Sequence, residues 1–289
     1  MERWDVAGTG FGTVAELWRY PVKSLQGELL ASGELSTQGL NGDRAFGIFE
    51  CSSDVLLSAK RLPKMLEGSA TLVSEGPGFE GQLTSESTGL VAELTFGSNT
   101  LRSDDPAIHQ ALSTWLDLDV ELRRPKVGRR SVVETQVDLD DDSQLAEFST
   151  RAGVFFDGCS LNLVSTTSLA AARALYPAGS WAVERFRPNV LIETEASITD
   201  SSTDEEGRPG FVDDELVGFV LSVGAAEVII MKRSDRCVMI TRPFGEYARD
   251  RALLRTLSRF HGNELGIDAM VTGVGRIATG DRITLLRRS

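Results

Sequence analysis

The chemistry available to this chain centres on one cysteine, Cys237, which lies between two apolar, β-branched runs. The runs at residues 228–231 and 238–240 predict two strands, so the cysteine is expected where the chain bends between them. Arg233 and Arg236 precede it closely in the chain, and positive charge nearby favours a thiolate. A thiolate binds soft metal ions or attacks electrophiles, whereas most free cysteines are small buried apolar residues. The tetrapeptide Ser234-Asp235-Arg236-Cys237 alone leaves both interpretations open.

Basic residues also stand at three other places where the sequence predicts a bend. Lys23 follows a proline-fixed bend, Arg44 follows a glycine-containing turn, and Arg187 stands immediately before a proline. Guanidinium groups and lysine ammonium groups bind phosphate, and a thiolate binds a soft metal. An anionic cofactor with a phosphate tail and a soft metal would use all three, together with Arg236 and Cys237. Taken alone, Lys23 is better explained as an exposed loop lysine.

The composition excludes several classes of protein. The chain has 289 residues, of which 41% are apolar, as in a globular protein of one or two domains. Its formal net charge of −12 argues against binding to nucleic acid or to anionic membranes, because the long-range field repels phosphate. No run approaches the roughly 18 apolar residues of a membrane span, and no signal-peptide pattern opens the sequence. We therefore expect a soluble, cytoplasmic protein without a nucleic-acid or membrane partner.

Cysteine usage agrees with that compartment. The three cysteines, Cys51, Cys159 and Cys237, are odd in number and far apart, which suits a reducing environment and excludes a disulfide framework. They are also too few for a four-thiolate iron–sulfur cluster within one chain.

Periodicity and turn signals predict a β-rich chain with a smaller share of helix. In the first half, strands are expected at residues 13–20, 29–35, 44–50 and 90–96, followed by a helix with Asp105 as N-cap and Ile108, Leu112 and Trp115 on its buried face. In the second half, strands are expected at 161–164, 190–192, 216–222, 226–231, 268–272 and 282–286, and helices at 167–175 and 251–260. The charged segment between residues 123 and 142 predicts a linker or loop and marks a domain boundary.

Four motifs occur in an order that resembles a known family. They are Tyr20-Pro21-Val22-Lys23-Ser24, Gly42-Asp43-Arg44, Phe186-Arg187-Pro188-Asn189 and Ser234-Asp235-Arg236-Cys237. In this order they resemble the MOSC-domain proteins, named for the C-terminal domain of molybdenum-cofactor sulfurase. The chain looks like the branch that contains the mitochondrial amidoxime-reducing component and its bacterial relatives, over residues 13–286. The resemblance implies an α+β, β-rich fold, with an N-terminal β-barrel domain at 13–125 packed on a MOSC-type β-barrel domain with flanking helices at 126–289.

The resemblance also implies a prosthetic group, the molybdenum cofactor (Mo-molybdopterin), with no need for pyridoxal phosphate. Cys237 would be the metal ligand and the catalytic residue, completing a coordination sphere of pterin dithiolene and oxo ligands. The phosphate and pterin would be held by Lys23, Ser24, Arg44, Arg187 and Asn189.

Three further positions lie near this implied site, and their residues differ from the family pattern. Gly158 and Cys159 stand where the family offers small hydroxyl residues to the phosphate, so backbone N–H groups would have to serve there. Asp235 stands where the family has a small or hydroxyl residue, and Arg236 or Arg233 would have to neutralise it beside an anionic cofactor.

The implied reaction is a two-electron reduction of small N-hydroxylated compounds, such as amidoximes, hydroxamic acids and N-hydroxylated bases, to the amine-type product and water. The metal would supply the bond chemistry, and the protein would supply orientation, charge and access. The chain ends at Ser289 with no spare cysteines. We therefore expect a separate electron-donor protein of the ferredoxin, cytochrome or flavin reductase type.

Two other functions use the same cysteine. One is a molybdopterin or sulfur carrier, which would pass on cofactor or persulfide without reducing a substrate. The other is a cysteine hydrolase with Cys237 as nucleophile and His261 as base. The hydrolase is the weaker alternative, because the chain has only two histidines and no acyl-transfer signature accompanies them.

Overall fold

The computed structural model describes residues 8–73, 89–141, 143–198 and 210–288. In chain order the strands are β1 (Gly10–Arg19), β2 (Glu28–Leu30), β3 (Ser32–Ser36), β4 (Gly39–Leu40), β5 (Gly47–Glu50), β6 (Ser69–Val73), β7 (Val91–Phe96), β8 (Asn99–Arg102), β9 (Val120–Arg123), β10 (Val132–Gln136), β11 (Leu145–Ser149), β12 (Leu161–Ser165), β13 (Val190–Thr194), β14 (Phe219–Val223), β15 (Ala226–Asp235), β16 (Glu264–Gly273), β17 (Gly275–Ala278) and β18 (Arg282–Arg288). The helices are α1 (Ile108–Leu116), α2 (Thr166–Leu175), α3 (Val183–Phe186) and α4 (Arg251–Phe260). The β-rich, α+β prediction is confirmed.

Seven strands form a closed β-barrel. Their order is β13-β12-β16-β15-β14-β18-β1, and pairing of β1 with β13 closes the ring. Neighbours in the ring are antiparallel except β12 and β13, which are parallel. Because a parallel pair needs a crossover connection, the chain between these two strands folds into α2 and α3. The first strand therefore completes a barrel whose other six strands all come after residue 160.

Alternation along the barrel strands builds the main core. In β15, Val228 and Ile230 are 1% exposed while Met231 is 46% exposed, and in β16 Ile267 and Ala269 are fully buried. Side chains on a strand point alternately to its two faces, so every second residue of the apolar run faces the barrel interior. Each buried aliphatic side chain of this size stabilises the fold by about 1.5–3 kcal/mol.

The remaining strands form smaller sheets beside the barrel. They are the sheet β6-β7-β8, the sheet β17-β3-β4, the pair β5–β9 and the hairpin β10–β11. Helix α1 packs on them, and its predicted apolar face is confirmed, since Ile108, Leu112 and Trp115 are all buried. The hairpin is tied to the rest by a bridge between Val133 and Leu56. This part of the chain supplies a second core, separate from that of the barrel.

Two predicted elements lie next to the site, the break before Pro188 and the segment after Cys237. The break before Pro188 is confirmed, because α3 ends at Phe186 and Arg187 takes a left-handed conformation with φ 52°. The strand predicted at residues 238–240 is wrong, because Val238–Thr241 is a 3₁₀ turn. The buried guanidinium of Arg185 donates to the carbonyl oxygens of Ile240 and Arg242, which holds the chain away from the barrel sheet. Helices in the described part of the chain are all too short or too polar to cross a bilayer.

Candidate functional site

A cavity of about 570 Å³ lies between the barrel and the smaller sheets. Its walls come from four parts of the chain, at residues 23–60, 135–162, 185–189 and 232–268. This volume is in the range of small-molecule and cofactor sites. All ten residues that the sequence singled out line it: Lys23, Ser24, Arg44, Gly158, Cys159, Arg187, Asn189, Asp235, Arg236 and Cys237.

The charge of the cavity is opposite to that of the whole chain. Its lining includes seven basic residues, Lys23, Arg44, Lys60, Arg185, Arg187, Lys232 and Arg236, and four acidic ones, Asp43, Asp157, Asp235 and Asp268. The lining thus has a surplus of three positive charges, in a chain of formal net charge −12. A concave surface of one sign concentrates ligands of the other sign, so this cavity favours an anion.

Cys237 lies just beyond the end of β15, at the first position of the turn that carries the chain out of the barrel. It is half-buried and is not in a disulfide. Its side chain interacts electrostatically with two cationic groups, Lys60 and Arg236.

Arg236 anchors the loop that presents the cysteine. Its three guanidinium nitrogens donate to Leu265 O at 2.6 Å, Phe186 O at 3.0 Å and Asn162 Oδ1 at 3.1 Å. Burial lowers the pKa of Arg236 to about 10. Gly266 is needed beside it, because a Cβ there would lie 2.9 Å from Nη2 of the arginine and 2.6 Å from a backbone oxygen. Arg236 therefore positions Cys237 and contributes charge, with its donors held by protein acceptors.

Two lysines of the cavity share one carboxylate, that of Asp157, which is 39% exposed. The ammonium of Lys23 donates to Asp157 Oδ1 and, at 2.7 Å, to Phe155 O, while the ammonium of Lys60 donates to Asp157 Oδ2 at 2.7 Å. Burial lowers the pKa of Lys23. Burial alone would also lower the pKa of Lys60, but the Asp157 carboxylate outweighs it and raises that pKa. In the same way, the two lysines outweigh burial and hold the pKa of Asp157 well below its usual range.

Arg44 and Arg187 meet over the ring of Tyr20. Their Cζ atoms lie 4.5 and 4.3 Å from the ring centroid, and Arg44 also pairs with Asp43. Burial, with the neighbouring Arg44 as the next cause, lowers the pKa of Arg187 to about 10. Two buried polar atoms, the Tyr20 hydroxyl and Nη1 of Arg187, have no hydrogen-bond partner among the described residues.

Backbone strain concentrates at the same place. Six non-glycine residues in the described part of the chain have positive φ, and three of them are Ser24 (69°), Arg44 (49°) and Arg187 (52°). Such conformations cost roughly 1–3 kcal/mol each and persist where the surroundings or a function require them. All three residues line the cavity.

Asn189 and the segment Gly158-Cys159 complete the predicted set. Asn189 is 2% exposed, donates to Trp18 O at 3.3 Å and accepts from the backbone N–H of Asn162 at 3.2 Å. It therefore joins β1 to β12 beneath the cavity. Gly158 is exposed and Cys159 half-buried, and burial, with Asp268 as the next cause, raises the pKa of the Cys159 thiol.

The charge of Asp235 is balanced differently from the expectation. Its carboxylate pairs with Lys232 at 2.6 Å, on the exposed side of the strand. Arg233, one of the two expected partners, instead pairs with Glu264 at 2.8 Å. Side chains alternate along β15, so Arg233 points to a different face from Lys232. Arg236, the other expected partner, lies close enough to Asp235 to interact with it electrostatically, but its guanidinium makes its hydrogen bonds to other residues.

His261 is not placed to serve Cys237. It is absent from the cavity lining, and its ring stacks on Phe211 with centroids 3.5 Å apart. Nδ1 lies 2.8 Å from the carbonyl of Glu264 and Nε2 lies 2.9 Å from the carboxylate of Asp214. Both partners are acceptors, so both ring nitrogens donate, and the hydrogen bond to Asp214 outweighs burial and raises the pKa of this histidine. An imidazole engaged in this way has no free nitrogen to act as a base.

Sequence analysis missed several residues of the cavity, above all Lys60 and Asp157. Lys60 follows the mostly apolar stretch at residues 55–59 and gives no motif of its own, and Asp157 lies in a segment without clear periodicity. The same holds for Ser58, Thr135, Phe148 and Met239, which also line the cavity. In the part of the chain that the structure describes, no group of three or more His, Cys, Asp and Glu residues could hold a metal ion.

Comparison with known proteins identifies both halves of the chain. A family model described as the MOSC N-terminal beta barrel domain matches residues 11–110, and one described as the MOSC domain matches residues 153–284. Among solved structures, the YuaD protein from Bacillus subtilis is similar at 12% identity, with 95% of each chain covered and a TM-score of 0.43. YiiM from Geobacillus stearothermophilus is similar at 14% identity over 56% of this chain and 72% of that chain, with a TM-score of 0.32. Both TM-scores are below 0.5, so neither likeness bears on function, and no curated protein matches the sequence.

Proposed function

Because the chain belongs to the MOSC-domain family, with a MOSC N-terminal β-barrel domain ahead of its MOSC domain, we propose that it binds the molybdenum cofactor through Cys237 and reduces N-hydroxylated compounds. MOSC domains are associated with sulfurase-type and oxidoreductase-type proteins of the molybdenum cofactor. The observation that carries the proposal is that one cavity with a surplus of positive charge holds both a half-buried cysteine and a buried arginine nitrogen without a partner.

The arginine end of the cavity fits the phosphate of such a cofactor. Nη1 of Arg187 is buried and has no acceptor among the described residues, which costs free energy unless a ligand supplies one. Arg44 lies against the same ring and Ser24 lines the same wall, each in a strained conformation. Guanidinium groups bind phosphate oxygens in pairs, so a phosphate here would satisfy the orphan donor and offset the like-charge repulsion.

The cysteine end fits a soft metal that brings most of its own ligands. Cys237 is one thiol with two cationic neighbours, Lys60 and Arg236, and a pterin dithiolene supplies the further sulfur ligands. Arg236 holds the loop of the cysteine through three hydrogen bonds, so the sulfur has a defined position before any ligand arrives. When bound, the group would supply two-electron redox chemistry to the N–O bond of a substrate.

The protein's own residues would orient the substrate and exclude water. Phe148 and Met239 would provide apolar surface, and Lys60 would provide an ammonium group, in the same cavity as the cysteine. We further propose that electrons come from a separate donor protein of the ferredoxin, cytochrome or flavin reductase type.

Expression in a cofactor-competent host, followed by measurement of molybdenum and pterin, tests the proposal. We expect near-stoichiometric cofactor in the wild type, loss of N-hydroxy reduction in Cys237→Ala, and lowered cofactor content in Arg44→Ala. Arg287→Ala is the matched control, because that arginine is 58% exposed and pairs with Glu227, away from the cavity. Wild-type protein that lacks both molybdenum and pterin from such a host would rule the proposal out.

One observation favours the carrier function as an alternative. Cys159 lines the same cavity as Cys237, so a second thiol is available to a sulfur or persulfide group held there. Cofactor bound without any turnover of amidoximes or hydroxamic acids, with persulfide detected on either cysteine, would favour the carrier over the reductase.

A further inference from the structure

We infer that Lys60 is a substrate-binding residue that makes this site prefer hydroxamic acids over amidoximes, with a flat aromatic substituent packed beside Phe148. The inference rests on the proposed function and names the substrate class that the chain's own residues select.

Lys60 has donors left over for a ligand. Its side chain is buried and lines the cavity, yet the described residues give its ammonium one hydrogen-bond acceptor, Asp157, at 2.7 Å. An ammonium group has three N–H donors, so two remain. Lys23, which shares the same carboxylate, differs because it also donates to the backbone oxygen of Phe155. The unused donors of this pair therefore lie mainly at Lys60.

The position of Lys60 puts those donors beside the reacting end of the cavity. Its ammonium is close enough to Cys237 for the two to interact electrostatically. The other cation beside that cysteine, Arg236, has each of its nitrogens bound to a protein oxygen. These three oxygens fix the guanidinium in place, whereas the ammonium of Lys60 has two N–H donors to offer a substrate oxygen.

The ring of Phe148 suits a flat apolar group beside Lys60. It comes from the hairpin β10–β11, and its centroid lies 4.6 Å from the ammonium nitrogen of Lys60. Met239, Ser58 and Thr135 line the same cavity. An aromatic ring packed against the edge of Phe148 would place a polar substituent toward the ammonium.

Hydrogen bonding separates the two substrates, and charge separates their products. A hydroxamic acid presents a carbonyl oxygen that accepts from the ammonium, and it yields a neutral amide. An amidoxime is neutral at pH 7 but offers an amino group that donates, and it yields an amidine, which is a cation at neutral pH. The carboxylate of Asp157 neutralises one of its two lysine partners, so the three groups keep one positive charge. Lys60 therefore binds the acceptor oxygen of a hydroxamic acid and repels the amidinium product.

The test compares two substrates and their products on the cofactor-loaded protein. Benzhydroxamic acid and benzamidoxime differ at the group that would face Lys60, and benzamide and benzamidine are their products. We expect kcat/KM to favour benzhydroxamic acid in the wild type and the ratio to fall by about tenfold in Lys60→Met, which corresponds to about 1.4 kcal/mol. The change should lie in KM more than in kcat, and Lys60→Arg should retain the preference. Lys64→Met is the matched control, because Lys64 is exposed in the same segment.

Calorimetric binding of benzamide and benzamidine gives a readout that needs no turnover. We expect benzamidine to bind at least tenfold more tightly to Lys60→Met than to the wild type, with benzamide affinity unchanged or weaker. Thermal melting of each variant checks that it is folded. If Lys60→Met does not fold, the binding comparison with Lys60→Arg still tests the inference. Equal discrimination in wild type and Lys60→Met overturns the inference even if the protein is a reductase. Discrimination that depends on Lys60 in a protein without reductase activity instead overturns the proposed function alone.

Discussion

Arg187 is predicted to lower the stability of the cofactor-free protein while serving the cofactor. Burial and the neighbouring Arg44 lower its pKa from 12.5 to about 10, a shift of roughly 2.5 units that corresponds to about 3 kcal/mol against the charged form. The side chain is only partly buried, and its contact with the Tyr20 ring returns about 0.5–1 kcal/mol. We therefore expect Arg187→Met to raise the free energy of unfolding of the cofactor-free protein by about 1–2 kcal/mol at pH 7.

The pH dependence has a defined sign. The pKa of Arg187 is lower in the folded state than in the unfolded chain, so its destabilising effect is fully present below about pH 10 and is relieved only as the group loses its proton above that pH. At pH 7 the whole effect is present, and the substitution should remove it. The same substitution should lower the molybdenum content of protein purified from a cofactor-competent host.

Urea unfolding of the cofactor-free protein, together with metal analysis of the loaded protein, checks both halves of this prediction. Arg282→Met serves as the control, because Arg282 is 70% exposed and pairs with Glu195, and surface changes of this kind alter stability by less than about 0.5 kcal/mol. If the cofactor-free Arg187→Met protein is less stable than the wild type, the charge of Arg187 does not destabilise the fold and the prediction is refuted. Unchanged molybdenum content would remove Arg187 from the cofactor site.

Three further predictions concern stability and charge. Asp157→Ala leaves two lysines without their shared carboxylate, so we expect the free energy of unfolding in urea to fall by about 1–3 kcal/mol. Inorganic phosphate should raise the melting temperature of this variant more than that of the wild type, because it would bind the two lysines. Equal shifts in melting temperature would contradict this prediction. Burial raises the pKa of Asp213 to about 6, above its unfolded value, so stability should fall as pH rises from about 4 through 6, and Asp213→Asn should flatten that fall when unfolding is followed against pH. Ile230→Ala should cost about 2–5 kcal/mol in the barrel core, whereas Met231→Ala on the outer face should cost under about 1 kcal/mol, and similar losses would show that the alternation is misassigned.

Local sequence determined the elements and the candidate residues, because both depend on neighbours along the chain. Alternation of apolar residues marks β15 and β16, a proline marks the break after Arg187, and the spacing of Ile108, Leu112 and Trp115 marks the face of α1. The segment after Cys237 shows where this reasoning fails. Its residues favour a strand, yet the buried guanidinium of Arg185, more than 50 positions earlier, binds its carbonyls and holds it in a 3₁₀ turn.

Tertiary structure alone decided what those residues share. Closure of the barrel by β1, through pairing with β13, brings Lys23 to within one cavity of Cys237, although more than 200 residues separate them in the chain. The charges of the cavity depend on partners that no local pattern reveals, as Asp157 joins Lys23 to Lys60 from about 100 positions away. Hydrogen bonds and ion pairs act over a few ångströms of space whatever the separation along the chain. The chemical types of the site residues therefore follow from the sequence, whereas their charge states and their location in one cavity follow from the fold.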